Sequence, residues 1–123
     1  MTEALPNLPE FLREAAKIFL EELGQHVVFF GDLCSELEQS NEAQANVTIQ
    51  AKTRLIAEKF HLIKGASGFL NFTELKNNAG ENETFFRTKP VPGTFPEILT
   101  RLNSAHAIIK KSHEQLTILT TSA

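Results

Sequence analysis

Apolar side chains recur every three or four residues along four stretches of the chain, which is the spacing of one face of an α-helix. These stretches cover residues 12–37, about 47–70, 75–86 and 98–119. No alternating apolar and polar run between hairpin turns indicates a β-strand. The pattern predicts an all-α protein, an antiparallel four-helix bundle that forms a single domain over residues 1–123.

The beginning of the first helix is predicted by a capping pattern. Asn7 can cap, Pro9 occupies a first-turn position where a missing N–H does no harm, and Glu10 can reach back to the cap. Within this helix, Gly24 and Gly31 each weaken the structure by ~1 kcal/mol relative to alanine. The sequence therefore does not decide whether this helix is straight, bent, or divided into two helices, which would give five in all.

The breaks between the other helices follow from turn-forming residues. The polar residues 40–46 predict a first loop, and the proline- and glycine-containing residues 88–93 predict the last. Asn71 and Thr94 are each followed three residues later by a glutamate, so we expect them to cap the third and fourth helices.

Composition narrows the range of partners. The net charge is −3 and the isoelectric point is near 5.8, with no basic patch, so nucleic acid is not the expected partner. No run approaches the ~20 apolar residues of a membrane helix, no signal peptide is visible, and the single cysteine cannot form an internal disulfide. We expect a cytoplasmic monomer without a membrane partner.

The second helix carries an unusual segment, FHLIKGASGFL, at residues 60–70. Positions three, four and seven residues from His61 share its helical face. These positions hold small, polar or charged residues, namely Arg54, Ala57, Glu58, Lys64, Gly65 and Gly68. The apolar residues, assigned to the core, lie on the other side: Leu55, Ile56, Phe60, Leu62, Ile63, Ala66 and Leu70. The arrangement predicts that His61 is exposed.

The glycines on this face argue against an incidental surface histidine. Gly65 and Gly68 each cost ~1 kcal/mol inside a helix, and they remove side chains from the approach to His61. Lys64, about one turn away, supplies a mobile cation for a bound anion. Because a large fraction of imidazole is neutral and nucleophilic near neutral pH, these features favour a histidine that accepts and returns a phosphoryl group.

With these residues identified, the chain resembles the histidine-containing phosphotransfer (HPt) family of two-component signalling. The family motif has a histidine, an apolar residue two positions later, then lysine, glycine and small residues; here it reads His61, Ile63, Lys64, Gly65 and 66–68. The match continues at similar spacing through residues 75–83 of the next helix.

The resemblance implies a phosphoryl carrier and not an enzyme with its own turnover. His61 would carry phosphate on the ring nitrogen farther from the backbone, Lys64 would neutralise its charge, and Gly65 would leave space for the partner. The remaining residues of the face, Gly68, Ala57, Arg54 and Glu58, would shape the docking surface. The partner would be a response-regulator receiver domain, a histidine kinase or both. The receiver would hold the Mg²⁺, so no cofactor is expected in this chain.

Glu83 matches a glutamate that chemotaxis-kinase phosphotransfer domains place against the other ring nitrogen. Independently, residues 61 and 83 each lie ten or eleven residues from the turn near Asn71, which at ~1.5 Å per residue puts them at the same height in an antiparallel pair. A solvated helix residue is the alternative for Glu83.

The chain departs from the family in having Asn71 where many members have glycine, and in Gly80, for which no family reason is apparent.

Three other assignments are compatible with parts of the sequence. A bundle that only mediates interactions, without carrying phosphate, is the rival function, and the domain could instead be the phosphoacceptor part of a larger histidine kinase. A metal site is not expected. Glu58 and His61 form half of a di-iron motif whose second half is missing. His106 and His113 could share a face but have no third ligand.

Overall fold

The computed structural model of the protein describes residues 10–121, which form four helices and no strand. The helices are α1 (Glu10–Glu38), α2 (Glu42–Phe69), α3 (Thr73–Arg87) and α4 (Phe95–Thr121). The most extensive packing is between α2 and α3 and between α1 and α4. The predicted all-α four-helix bundle is therefore confirmed. The proposed cap at Asn7 and Pro9 lies outside the described residues.

The core follows the periodic stretches that predicted the helices. All seven positions of the α4 stripe are buried: Ile98, Leu102, Ala105, Ile109, Ser112, Leu116 and Leu119. Three buried phenylalanines connect three helices. The ring centroid of Phe60 on α2 lies 4.8 Å from that of Phe30 on α1 and 6.1 Å from that of Phe86 on α3. These large rings, which have no polar atom that needs a hydrogen bond, thus form the core against which the segment containing His61 packs.

Helix α1 is continuous, so the alternative with five helices does not apply to residues 10–121. Its glycines face two histidines of α4. A Cβ added at Gly24 would lie 3.3 Å from Nε2 of His113, and one added at Gly31 would lie 3.1 Å from Nε2 of His106. The glycines therefore make room for imidazole rings between α1 and α4, and they do not break the helix.

Helix α2 begins earlier than predicted, at Glu42 instead of near Val47. Asn41 is the N-cap: its side chain accepts a hydrogen bond from the Gln44 N–H at 2.8 Å, and the Gln44 side chain accepts one from the Asn41 N–H at 3.3 Å. This reciprocal pair is a capping box. The prediction of a loop over residues 40–46 was wrong because it gave polar composition more weight than this pattern.

Asn71 ends α2, and it does not cap α3 as predicted. It has φ 64°, the left-handed conformation that asparagine tolerates. The N–H of Phe72 donates to the Ser67 carbonyl at 2.9 Å and the N–H of Asn71 donates to the Gly68 carbonyl at 3.4 Å, the two bonds of a Schellman motif. Phe72 is the N-cap of α3 and makes no side-chain cap hydrogen bond.

The N-terminus of α4 has the predicted box. The carboxylate of Glu97 accepts hydrogen bonds from the Thr94 N–H at 2.8 Å and from the Thr94 hydroxyl at 3.2 Å, while the Glu97 N–H donates to that hydroxyl at 3.4 Å. None of the four helices, over their described residues, is long and apolar enough to cross a membrane.

The buried arc of α2 differs from the predicted one. Leu55 and Leu62 were assigned to the core, but they are 46% and 53% exposed, whereas Ala57, assigned to the outward face, is only 1% exposed. The reason is the unequal packing of α2. Because α2 packs mainly against α3, its buried arc is centred on the side that faces α3, and Ala57 lies on that side.

Candidate functional site

His61 projects from the exposed side of α2. Its side chain is 55% exposed, although the residue before it, Phe60, is fully buried. One turn further along, a Cβ added at Gly65 would have no heavy atom within 4 Å. The ring is therefore accessible from solvent, and the space beside it is open.

Glu83 on α3 lies directly opposite the ring. Its Oε2 atom is 3.0 Å from His61 Nδ1 and 2.9 Å from Arg87 Nε, and its Oε1 atom is 3.4 Å from Lys64 Nζ. The proximity of residues 61 and 83 expected from helical rise is observed, and the alternative of a solvated Glu83 is wrong, because its side chain is only 11% exposed. One nearly buried carboxylate thus contacts a histidine, a lysine and an arginine.

The surroundings of Glu83 favour its ionised form. Removal from water opposes ionisation, but the hydrogen bonds from Arg87, His61 and Lys64 outweigh this effect, so the pKa of Glu83 lies below its ordinary value. At neutral pH the side chain is a carboxylate that can only accept hydrogen bonds.

This charge state determines which ring nitrogen of His61 is free. Since the carboxylate of Glu83 only accepts, the hydrogen at the 3.0 Å contact belongs to Nδ1 of His61. In the neutral ring the lone pair is therefore on Nε2, the nitrogen farther from the backbone. The lone pair is thus on the nitrogen that does not contact Glu83, and the contact with Glu83 fixes the orientation of the ring.

Gly80 has a local role that the sequence did not reveal. It lies on α3 one turn before Glu83, and a Cβ at this position would come within 3.2 Å of Lys64 Cδ. That separation is too close for the lysine stem to stay where it is. Glycine at position 80 therefore leaves the space through which Lys64 reaches Glu83.

Arg87 is the site residue that sequence reasoning missed. It binds Glu83 from the next turn of the same helix, with 2.9 Å between Nε and Oε2. The spacing of four residues between a glutamate and an arginine was visible in the sequence and is a known stabilising pair on helices. The comparison of helical heights that predicts the contact between Glu83 and His61 does not reveal it, because Arg87 and Glu83 lie on the same helix.

The other residues predicted to lie on the same face of α2 as His61 differ in how exposed they are. Arg54 and Glu58 are exposed on α2, as expected. Gly68 is half-buried next to Lys76, whose Cδ and Cε would lie 3.5 Å from an added Cβ, so its surroundings are less open than those of Gly65. Ala57 is buried, as described above. No group of three or more histidine, cysteine, aspartate or glutamate side chains within residues 10–121 is arranged to hold a metal ion.

Comparison of the chain with protein-family models, with curated proteins and with solved structures found no match.

Proposed function

We propose that the protein carries a phosphoryl group on His61, exchanging it with the aspartate of a response-regulator receiver domain in a two-component phosphorelay. The observation that supports this most strongly is the combination of an exposed ring with a carboxylate fixed at its inner nitrogen. His61 Nδ1 lies 3.0 Å from Glu83, which leaves Nε2 as the free nucleophile. The resemblance to the HPt family rests on the residues around this same ring.

The reaction requires no general base in this chain. The lone pair of His61 Nε2 attacks the phosphorus of the partner's aspartyl phosphate, so an N–P bond forms and the P–O bond to the aspartate breaks. The aspartate leaves as a carboxylate, and the proton on Nδ1 stays in its hydrogen bond to Glu83. The ring becomes cationic as it gains phosphate, and the carboxylate of Glu83 stabilises that charge.

Lys64 supplies the second electrostatic contribution. Its Nζ atom lies 3.4 Å from Glu83, and its side chain is 44% exposed, so the ammonium group can turn towards an anion on the ring. Lysine is suited to this role because its charge is compact and its stem is flexible. The Mg²⁺ that supports attack on the aspartyl phosphate would be held by the receiver domain, and not by this chain.

The same proposal sets the cellular context. A carrier that meets receiver domains works in the cytoplasm, and a single copy presents the whole site, since His61, Lys64 and Glu83 come from one chain. It acts as a carrier between other proteins and not as an enzyme with its own substrate.

The test is transfer of label from a phosphorylated receiver domain. Wild-type protein, His61→Gln and the control His106→Gln are mixed with a receiver domain that carries radiolabelled aspartyl phosphate. We expect acid-labile, alkali-stable label on the wild type and on His106→Gln, and none on His61→Gln. Equal labelling of His61→Gln, or an unlabelled wild type across the receivers of the same genome, would refute the proposal and favour a bundle that only mediates interactions.

A further inference from the structure

A second feature of the surface lies beside His61. A shallow depression between α2 and the end of α3 is lined by Thr53, Arg54, Ala57, Phe86, Arg87 and Lys89. Three of these six residues are cationic and none is acidic. Its floor is apolar, because Ala57 and Phe86 are each 1% exposed.

The depression is connected to the site through shared residues. Arg87 lines it and also binds the Glu83 oxygen that contacts His61, with 2.9 Å between Nε and Oε2. Ala57 and Arg54 precede His61 by four and seven residues, so they lie about one and two turns, or roughly 6 and 10 Å, along α2 from it. A partner that reaches His61 would therefore extend over this depression.

The charge of the depression contrasts with that of the whole chain. The protein contains 15 acidic and 12 basic residues and has a net charge of −3. Arg54, Arg87 and Lys89 nevertheless converge on one depression, and Lys64 adds a fourth cation on the other side of Glu83. The carboxylate of Glu83 is already paired with the cations Lys64 and Arg87. The lining of the depression is thus basic in an acidic protein, and the exposed Glu58 of α2 is not part of that lining.

We propose that this depression binds an acidic side chain at the rim of the partner's phosphorylation site and thereby sets the orientation of docking. The inference rests on the proposed function of His61. A receiver that holds Mg²⁺ must present carboxylates around its phosphorylated aspartate, and an adjacent acidic residue would be repelled by the rest of this chain but attracted here. Arginine is suited to binding a carboxylate because its guanidinium group presents several N–H donors in a fixed planar arrangement.

The proposal separates two kinds of reaction at His61. Transfer from a receiver domain uses the docking surface, whereas phosphorylation by the small donor phosphoramidate does not. The test therefore compares the ratio of the two rates in wild-type protein and in the double variant Arg54→Glu/Lys89→Glu. Arg87 is left intact because it also holds Glu83. A double variant of exposed lysines elsewhere, Lys17→Glu/Lys110→Glu, is the matched control for total charge.

We expect the second-order rate constant for receiver transfer, relative to the phosphoramidate rate, to fall about tenfold or more in Arg54→Glu/Lys89→Glu. The dependence of that rate constant on salt should become weaker or reverse, and the control variant should keep the wild-type ratio. An unchanged ratio and salt dependence, with helicity intact by circular dichroism, would overturn the inference while leaving the function of His61 standing. Failure of wild-type protein to take label from either donor would instead refute the proposed function.

Discussion

Glycine and histidine meet at two surfaces of the bundle with opposite outcomes. Between α1 and α4, the ring of His106 covers Gly31, where an added Cβ would lie 3.1 Å from Nε2, and the same arrangement recurs at Gly24. On α2, the glycine one turn after His61, Gly65, has open space around it. Glycine therefore accommodates a packed ring at one surface and exposes a ring at the other.

The difference arises from the neighbouring helix. The glycines of α1 face α4, which supplies rings that fill the space they leave. Gly65 faces outward from α2, and no described element covers it. The sequence spacing of glycine and histidine is thus compatible with either outcome, and the packing of a second helix decides which one is realised.

The remaining histidine, His26, gives the largest expected effect on stability. His26 is 6% exposed, and its Nδ1 is without a hydrogen-bond partner among the described residues. Burial, reinforced by the charge of Lys59, lowers the pKa of His26 from 6.5 to about 4. The unfolded chain therefore binds a proton at His26 that the folded chain does not, so stability falls as the pH decreases from about 6.5 to about 4, by at most about 3 kcal/mol.

The variant His26→Leu removes this proton-binding group and keeps an apolar side chain in the core. We expect its free energy of unfolding, measured by urea titration, to vary less than that of wild type between pH 6.5 and pH 4. At pH 7 it should be as stable as wild type or more so, because an unpaired buried nitrogen is removed. Parallel pH curves for the two proteins would contradict this account of His26.

Leucine at Gly31 and at Gly65 should have different consequences. Gly31→Leu forces atoms into the space held by His106, so we expect a loss of about 1–3 kcal/mol in the free energy of unfolding. Gly65→Leu meets open space and should be neutral or stabilising by up to about 1 kcal/mol, since leucine favours helix. Chemical denaturation measures both.

For phosphoryl transfer we expect the opposite ranking of the two variants, with Gly65→Leu impaired and Gly31→Leu unaffected. Gly65→Leu places a bulky side chain beside His61 and is expected to slow receiver transfer at least about tenfold, the equivalent of about 1.4 kcal/mol. Gly31→Leu, assayed where it is fully folded, should transfer at the wild-type rate. If Gly31→Leu slowed transfer as much as Gly65→Leu, the two surfaces would not be functionally distinct.

Loss of the carboxylate at position 83 tests the inner contact of His61. Glu83→Gln keeps the size of the side chain but not its charge, so we expect transfer to fall roughly 10–100-fold, by analogy with groups that hydrogen-bond to and orient metal-binding histidines. The variant His61→Gln removes the ring and so cannot test what orients it. Glu83→Gln keeps the ring and changes only the group that contacts Nδ1. Unchanged rates for Glu83→Gln across pH 6–8 would show that Glu83 has only a structural role.

Gly80→Ala should have the smallest effect. The added methyl group displaces the Lys64 stem, and we expect transfer to fall a few-fold while α3 gains up to about 1 kcal/mol from helix propensity. In a Lys64→Ala background the same change should not affect transfer, because the displaced side chain is absent. If Gly80→Ala slowed transfer equally in the wild-type and Lys64→Ala backgrounds, the effect of Gly80 would not act through Lys64.

Much of the fold could be predicted from local pattern. The α4 stripe and the Thr94 box depend only on residues within one helix, and both were predicted correctly. The position of Glu83 opposite His61 followed from helical rise and one turn. The first two features need only the sequence of one helix, and the third needs only that two neighbouring helices pair antiparallel across a short turn.

Features that depend on the arrangement of helices were missed or wrong. Leu55 and Leu62 were assigned to the core because a helical wheel does not show which neighbour packs more closely. The role of Gly80 depends on the path of the Lys64 side chain across two helices. Local periodicity identifies a buried side of α2, but only the strong α2–α3 contact determines its limits.

The most direct test of the central claim is the site of phosphorylation within the imidazole. Protein with ¹⁵N-labelled histidine is treated with phosphoramidate, and the ring nitrogens are followed by NMR, with His61→Gln to assign the signals. Because Glu83 occupies the Nδ1 side of the ring, we predict phosphate on Nε2 of His61, with the other three histidines unmodified. Phosphate on Nδ1, equal labelling of another histidine, or no phosphohistidine would contradict the account.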